Sequence, residues 1–344
     1  MIDLRSDTVT KPTSTMLKSI LSTKLGDDVL REDPTINQLE EFSADLFSKE
    51  ASIFLPSGTM ANLVAILAHC ERGSETILGD QSHTFYYEGG GISAYGGVHS
   101  RQLKNQDDGT IKLEDIEHAI RLDDVHFPKT RLICLENTHN RCFGTPLSTK
   151  YINSVSNIAS KNKLKIHIDG ARIFNASVSL NTSVRLLCKE ADSVSFCLSK
   201  GLSAPVGSLL CGDKHFIGNA RRIRKSLGGG MRQSGVLAAP GLYALKSMID
   251  RLSVDHENAK ILAKELSEID SIIIDLQKVK TNIIYFRFES NSISLKDFHS
   301  LASEKGLLFY QTSPNNFRMV THTGISKNNV LESVSIIKSI LYKN

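Results

Sequence analysis

The sequence predicts an α/β fold: a mostly parallel sheet flanked by helices, followed by a smaller C-terminal α+β domain. Three observations carry this expectation. Short apolar runs alternate with helical stretches from about residue 50 to about residue 240, the pattern of strands joined by crossover helices. After Pro240 the alternation gives way to two helical stretches and then to strand-like segments. At 344 residues the chain is long enough to bury one large and one smaller core. The expected division is an N-terminal arm over 1–15, a large domain over 16–240 and a small domain over 241–344.

Taken in order, residues 51–55 read as a first strand and 61–69 as a helix. Segments 76–78, 132–135, 164–168, 194–198 and 208–211 are further strands, mostly apolar as strands covered on both faces should be. Segments 113–121 and 150–160 read as intervening helices. Beyond Pro240, 242–252 and 258–266 are helical, and 282–288 and 317–321 are strand candidates. Val330, Val334, Ile337 and Leu341 form the apolar stripe of a final helix. No internal repeat or low-complexity segment interrupts the pattern.

Composition narrows the function classes. A net charge of +4 on a chain of this length gives little support for nucleic-acid binding, although Arg221, Arg222, Arg224 and Lys225 form a local cluster able to meet an anion. The six cysteines contain no C-x-x-C pair and several lie in apolar segments, which predicts reduced, buried thiols rather than disulfides or a zinc site. The acidic start Met1-Ile2-Asp3-Leu4-Arg5-Ser6-Asp7 has no apolar signal core, and no apolar run approaches the ~20 residues that span a bilayer. A cytoplasmic protein without membrane contact is the expectation.

Asp169 and Lys200 each stand at the exit of a short apolar run. Strands placed in this way deliver a carboxylate and an amine to one rim of an α/β sheet, where ligands bind. The pair suits pyridoxal phosphate: the amine forms a Schiff base with the aldehyde, and the carboxylate keeps the pyridine nitrogen protonated. Singly, each has an ordinary structural reading, since Asp-Gly marks turns and lysine sits in solvent. Ser57-Gly58-Thr59 precedes a helix, so it is either a phosphate cradle or a plain cap. Gly228-Gly229-Gly230 with Arg232 is either a second backbone that approaches an anion or subunit, or a flexible loop. It lacks the Gly-Lys-Ser/Thr of a Walker loop. Arg172 and Arg318 are candidates for a substrate carboxylate, or for structural ion pairs.

Together these motifs resemble the low-specificity L-threonine aldolases, within the fold-type I pyridoxal-phosphate enzymes. The matching stretches are Asp3-Leu4-Arg5-Ser6-Asp7-Thr8-Val9-Thr10, Gly26-Asp27-Asp28-Val29, Ser57-Gly58-Thr59-Met60-Ala61-Asn62, Glu136-Asn137-Thr138-His139-Asn140, Asp169-Gly170-Ala171-Arg172, Leu198-Ser199-Lys200-Gly201 and Gly229-Gly230-Met231-Arg232-Gln233. The resemblance implies that Lys200 bonds the cofactor aldehyde, Asp169 pairs with the pyridine nitrogen, and Gly58 and Thr59 hold the phosphate. It implies that Lys225 and Arg232 reach a neighbouring subunit's cofactor, in a catalytic dimer within a homotetramer. His83 would face the cofactor ring, and Ser6, Arg172 and Arg318 would hold the amino-acid carboxylate, Ser6 coming from the N-terminal arm. His126 would lie near the substrate hydroxyl, where a bound water is the alternative base. One departure is visible: Arg141-Cys142-Phe143-Gly144 is bulkier than the loop usual after Asn140, which bears on substrate side-chain preference.

The activity implied is retro-aldol cleavage of L-threonine, L-allo-threonine and related L-3-hydroxy-amino acids to glycine and an aldehyde. Two other readings use the same motifs. A β-eliminating pyridoxal-phosphate lyase would release a keto acid and ammonia, and a catalytically silent binding protein would show no imine absorbance band after cofactor addition.

Overall fold

The computed structural model describes residues 1–290 and 293–342. Its central sheet has seven strands in the order Ala51–Leu55, Ser208–Gly212, Ser193–Cys197, Lys165–Asp169, Thr130–Glu136, Glu75–Gly79 and His99–Leu103. Ser208–Gly212 is antiparallel to both of its neighbours, and the remaining adjacent pairs are parallel. The C-terminal ends of the other strands therefore open on one rim. The strands expected from apolar runs all form, within one or two residues of their expected ends.

His99–Leu103 was not legible as a strand. Its sequence His-Ser-Arg-Gln-Leu has a single apolar residue, and it is only partly buried at the sheet edge, where polar side chains discourage further pairing. The helix Pro34–Phe47 was also missed, although its start is well signalled: Asp33 caps the amides of Thr35 and Ile36, and Pro34 sits at the first turn. Phe47 at its end stacks on Phe196 of the sheet, ring centroids 4.8 Å apart. The opposite face is covered by Gly58–His69 and Lys214–Ser226, packed on Ile53, Leu55 and Leu210.

The expected boundary at 240/241 falls inside one helix, Gly235–Ser247, that runs through Pro240. Proline ordinarily ends a helix because it lacks an N–H. Here Ala238, Leu242, Ala244 and Leu245 are buried in the large core, and that packing carries the helix past it. The second core begins with Leu252–Ser267, whose Ala259, Leu262, Ala263 and Leu266 face an antiparallel sheet ordered Tyr310–Ser313, Asn316–Val320, Ile283–Phe288, Ile272–Ile273. Lys327–Leu341 closes this core with Val330, Val334 and Ile337 buried and Leu341 partly so. The N-terminal arm belongs to this unit at its start, since Ile2–Asp3 pairs in parallel with Leu307–Leu308. It then runs to the rim of the large sheet, where Thr10 Oγ1 donates to the carbonyl of Lys200 at 3.0 Å.

Candidate active site

The rim of the large sheet gathers residues far apart in sequence. Lys200 follows Ser193–Cys197, Asp169 ends Lys165–Asp169, Asn140 follows Thr130–Glu136, and His83 follows Glu75–Gly79. Ser6, His83, Tyr87, Asn140, Arg172, Lys200, Tyr310 and Arg318 are among the residues lining one cleft of about 370 Å³. Strand direction is what assembles it: every contributing strand of the large sheet points its C-terminal end at the cleft.

Asn62 organises the floor. It reaches in from the helix Gly58–His69, and its Nδ2 donates to Asp169 Oδ2 and to Glu88 Oε1, both at 2.9 Å. Its Oδ1 accepts from Ser195 Oγ at 2.7 Å and faces His167 Nε2 at 3.2 Å. Burial pushes the His167 imidazole down to about 3, so it stays neutral, and with Nε2 protonated it donates to Asn62. The amide of Asn62 is thereby oriented with both donors toward carboxylates. Asp169 also accepts from the amide of Ala171 at 3.0 Å and is buried.

His83 sits above this floor with Nδ1 bonded to Glu88 Oε1 at 2.8 Å. Burial alone would lower its proton affinity, but the Glu88 hydrogen bond and the charges of Asp169 and Glu88 outweigh that, and the net shift is upward. Burial raises the Glu88 carboxyl too, against the opposing pull of His83. The hydrogen bond fixes Nδ1 and leaves Nε2 for a ligand.

Arg172 and Arg318 meet at one acceptor. Arg172 Nη1 and Arg318 Nη1 lie 3.3 and 2.9 Å from Asn140 Oδ1. The other edge of Arg172 is taken by Asp7, with Nε and Nη2 at 2.7 and 2.6 Å from the carboxylate. Burial would raise the Asp7 carboxyl, yet the Arg172 guanidinium holds it well below the usual range. Two guanidinium groups thus meet at one oxygen, an arrangement with the donors a carboxylate needs, and Ser6 lines the same cleft.

Gly58 and Thr59 open the helix Gly58–His69 after Ser57, whose hydroxyl caps the amide of Met60 at 3.2 Å. The first-turn amides of Gly58 and Thr59 have no intrahelical partner, which leaves them for an anion. A Cβ at Gly58 would stand 2.8 Å from Cys197 Sγ, so only glycine fits against the strand that leads to Lys200.

Lys225, Arg232 and His126 lie away from this cleft in their own chain. Lys225 lies on a separate depression of about 400 Å³ with Asp28, Val29 and Gly230, and Arg232 pairs with Asp27 at 2.8 Å on the surface. His126 also lies away from its own chain's cleft: its side chain is 81% exposed and Nδ1 is held by Asp124 at 2.6 Å. Asp124, two residues before it, captures the imidazole locally. Neighbouring Leu122 and Val125 are 80% and 99% exposed.

Residues 3–289 match the beta-eliminating lyase family. The chain is 47% identical over 345 residues to a probable low-specificity L-threonine aldolase 2 of Arabidopsis thaliana, covering 99% of this chain and 97% of that protein. It is 43% identical over 333 residues to the low specificity L-threonine aldolase of Escherichia coli (strain K12), covering 96% and 97%. The chain belongs to the low-specificity L-threonine aldolase family. A solved structure of Leishmania major threonine aldolase shares the fold, with a TM-score of 0.85 over 99% of this chain and 100% of that one at 18% identity.

Within this aldolase-family site, Asp7, Asn62, Glu88 and Asn140 were not assigned roles from sequence. Asn62 and Asn140 stood inside quoted motifs, and Glu88 lies five residues after His83. Their functions depend on contacts between distant segments, which local spacing does not report. All six cysteines are buried and free, as their placement in apolar runs suggested, and among the described residues no helix is long and apolar enough to cross a membrane.

Proposed function

We propose that this protein cleaves L-threonine, L-allo-threonine and related L-3-hydroxy-amino acids to glycine and an aldehyde, with pyridoxal phosphate as cofactor. The observation that carries the reading is the convergence of an amine, an imidazole and two guanidinium groups on one cleft, with the buried Asp169 carboxylate within 4.8 Å of the His83 imidazole. The donor set fits the cofactor: Lys200 for the aldehyde, Asp169 for the pyridine nitrogen, His83 for the ring, and the amides of Gly58 and Thr59 for the phosphate. When bound, pyridoxal phosphate supplies an electron sink for the pair released when the Cα–Cβ bond breaks.

The chain's own residues choose the bond. Arg172 and Arg318 fix the substrate carboxylate, and so set which bond at Cα stands across the ring plane. His83, tethered by Glu88, offers Nε2 to take the β-hydroxyl proton. Tyr87 and Tyr310 border the space left for the β-substituent. Lys225, Arg232 and the exposed apolar loop at Leu122 and Val125 lie away from their own cleft, which supports a homotetramer with sites shared across a dimer interface. The buried free thiols suit a cytoplasmic setting.

Product analysis with L-threonine, L-allo-threonine and L-phenylserine tests the reaction. Glycine with acetaldehyde, or with benzaldehyde for phenylserine, is expected; a keto acid with ammonia in their place would assign a β-eliminating lyase. A second test addresses His83. As a base it must be neutral, and Glu88 raises its pKa, so Glu88→Gln should move the acid limb of kcat/KM to lower pH. An unmoved acid limb would remove His83 from the role of base.

A further inference from the structure

Arg141 stands directly after Asn140, and its side chain reaches Tyr87, which lines the cleft with Asn140. Its Nε donates to Gln81 Oε1 and its Nη1 to the hydroxyl of Tyr87, both at 2.8 Å. Its guanidinium carbon lies 4.1 Å from the ring centroid of Tyr86 and 5.8 Å from that of Tyr87. Among the described residues no carboxylate lies within ion-pair distance of it. The charge is committed to two aromatic rings and a glutamine rather than to an acid.

Tyr87 needs such a tether. It is half-exposed, it follows the short helix His83–Tyr86, and the next flexible points are Gly89 and Gly90, at φ of 62° and 67° with open space around both. An unpinned phenol there would sample several rotamers and lose that freedom each time a ligand packed on it. Arg141 itself is firmly seated. Tyr285 donates to the carbonyl of Asn140 at 3.0 Å, and Thr281 Oγ1 donates to the carbonyl of Gly144 at 2.9 Å. Phe143, at φ 59°, packs edge-on against Tyr285 with centroids 5.3 Å apart. The bulk of residues 141–143 thus anchors a rigid loop whose first side chain holds a wall of the substrate cleft.

We propose that Arg141 is a positioning residue for substrate specificity: by pinning Tyr87 it presents a preorganised aromatic wall that favours aryl β-substituents over the methyl group of threonine. This rests on the reading that the cleft binds the amino-acid substrate. An aryl group gains from stacking on a fixed ring, and a methyl group gains little. Lysine is no substitute for Arg141, because one ammonium cannot hold Gln81 and Tyr87 in a planar fork and lie flat on Tyr86.

The test is calorimetric titration of the cofactor-loaded protein with L-phenylalanine and L-alanine, neither of which has a β-hydroxyl to cleave. Arg141→Gly should weaken L-phenylalanine about fivefold, the size of a lost aromatic contact, and leave L-alanine within about twofold. Arg141→Lys, which keeps the charge and most of the volume, should fall between them and serves if the glycine variant does not fold. Tyr87→Phe should shift the same ratio, and the double variant should match Arg141→Gly alone, because both changes cut one contact. The ratio of kcat/KM for L-phenylserine to that for L-threonine should fall in parallel. An unchanged phenylalanine-to-alanine ratio, or additive effects in the double variant, would overturn the role of Arg141. Failure of L-alanine to bind the unaltered protein would instead overturn the amino-acid reading of the cleft.

Discussion

Lys200→Ala is expected to reduce L-threonine cleavage by at least about a thousandfold and to abolish the visible absorbance band of the cofactor-loaded protein. The magnitude follows from removing the covalent attachment itself, a change that in other covalent catalysts costs on the order of 10³–10⁶. Lys200 is half-buried on the rim, and its backbone carbonyl, not its amine, takes the Thr10 hydroxyl. The substitution therefore leaves the local fold tied. Lys200→Arg is the informative control. It keeps a cation near Asp7 and His83, whose ionisation the lysine charge influences, but it lacks a nucleophilic amine. Both variants should be equally inactive. Turnover and a normal band in Lys200→Ala would move the attachment point elsewhere, and turnover in Lys200→Arg would make charge, rather than covalency, the contribution of this residue.

That Lys200 could be singled out from sequence, while Asp7 could not, reflects how each is encoded. Apolar strands of a parallel sheet are buried on both faces, so 164–168 and 194–198 announce themselves, and the residues at their exits are placed on the rim by topology alone. Asp169 and Lys200 inherit that legibility. Arg318 was read from an arginine between strand-like residues, and the alternation is real: Phe317 and Met319 are buried while Arg318 faces the cleft. The polar edge strand His99–Leu103 and the helix through Pro240 went unread or misdivided because tertiary packing, not local pattern, decides them. Asn62 shows the limit most clearly. It lies in a helix of mostly apolar neighbours, and only the side chains arriving from Ser195, His167, Glu88 and Asp169 give its amide a purpose.

Asp7→Asn is expected to destabilise the fold by roughly 3–5 kcal/mol, the cost typical of leaving one member of a buried ion pair without its counter-charge. The Asp7 and Arg172 side chains are 0% and 5% exposed, and Arg172 directs Nε and Nη2 at the carboxylate. An amide can accept only one of those bonds and presents an NH₂ to the other donor. The pH dependence has a definite sign. Asp7 is held below its ordinary pKa in the folded state, so its stabilising contribution is complete above the unfolded value of about 3.9 and disappears as pH falls toward the folded one. The gap in urea midpoint between wild type and Asp7→Asn, measured at fixed protomer concentration, should stay constant from neutral pH down to about 4 and narrow below it. A gap that is small at neutral pH, or that widens on acidification, would show that the pair is not the anchor of the N-terminal arm. The same contact has a consequence for binding. Asp7 occupies one edge of Arg172, so on the proposed role of the two arginines a substrate carboxylate meets the other edge, shared with Arg318 at Asn140 Oδ1. Asp7 ties the arm to Arg172, and on that proposal it also sets which edge of the guanidinium a ligand meets, so KM for L-threonine should rise in whatever Asp7→Asn protein remains folded.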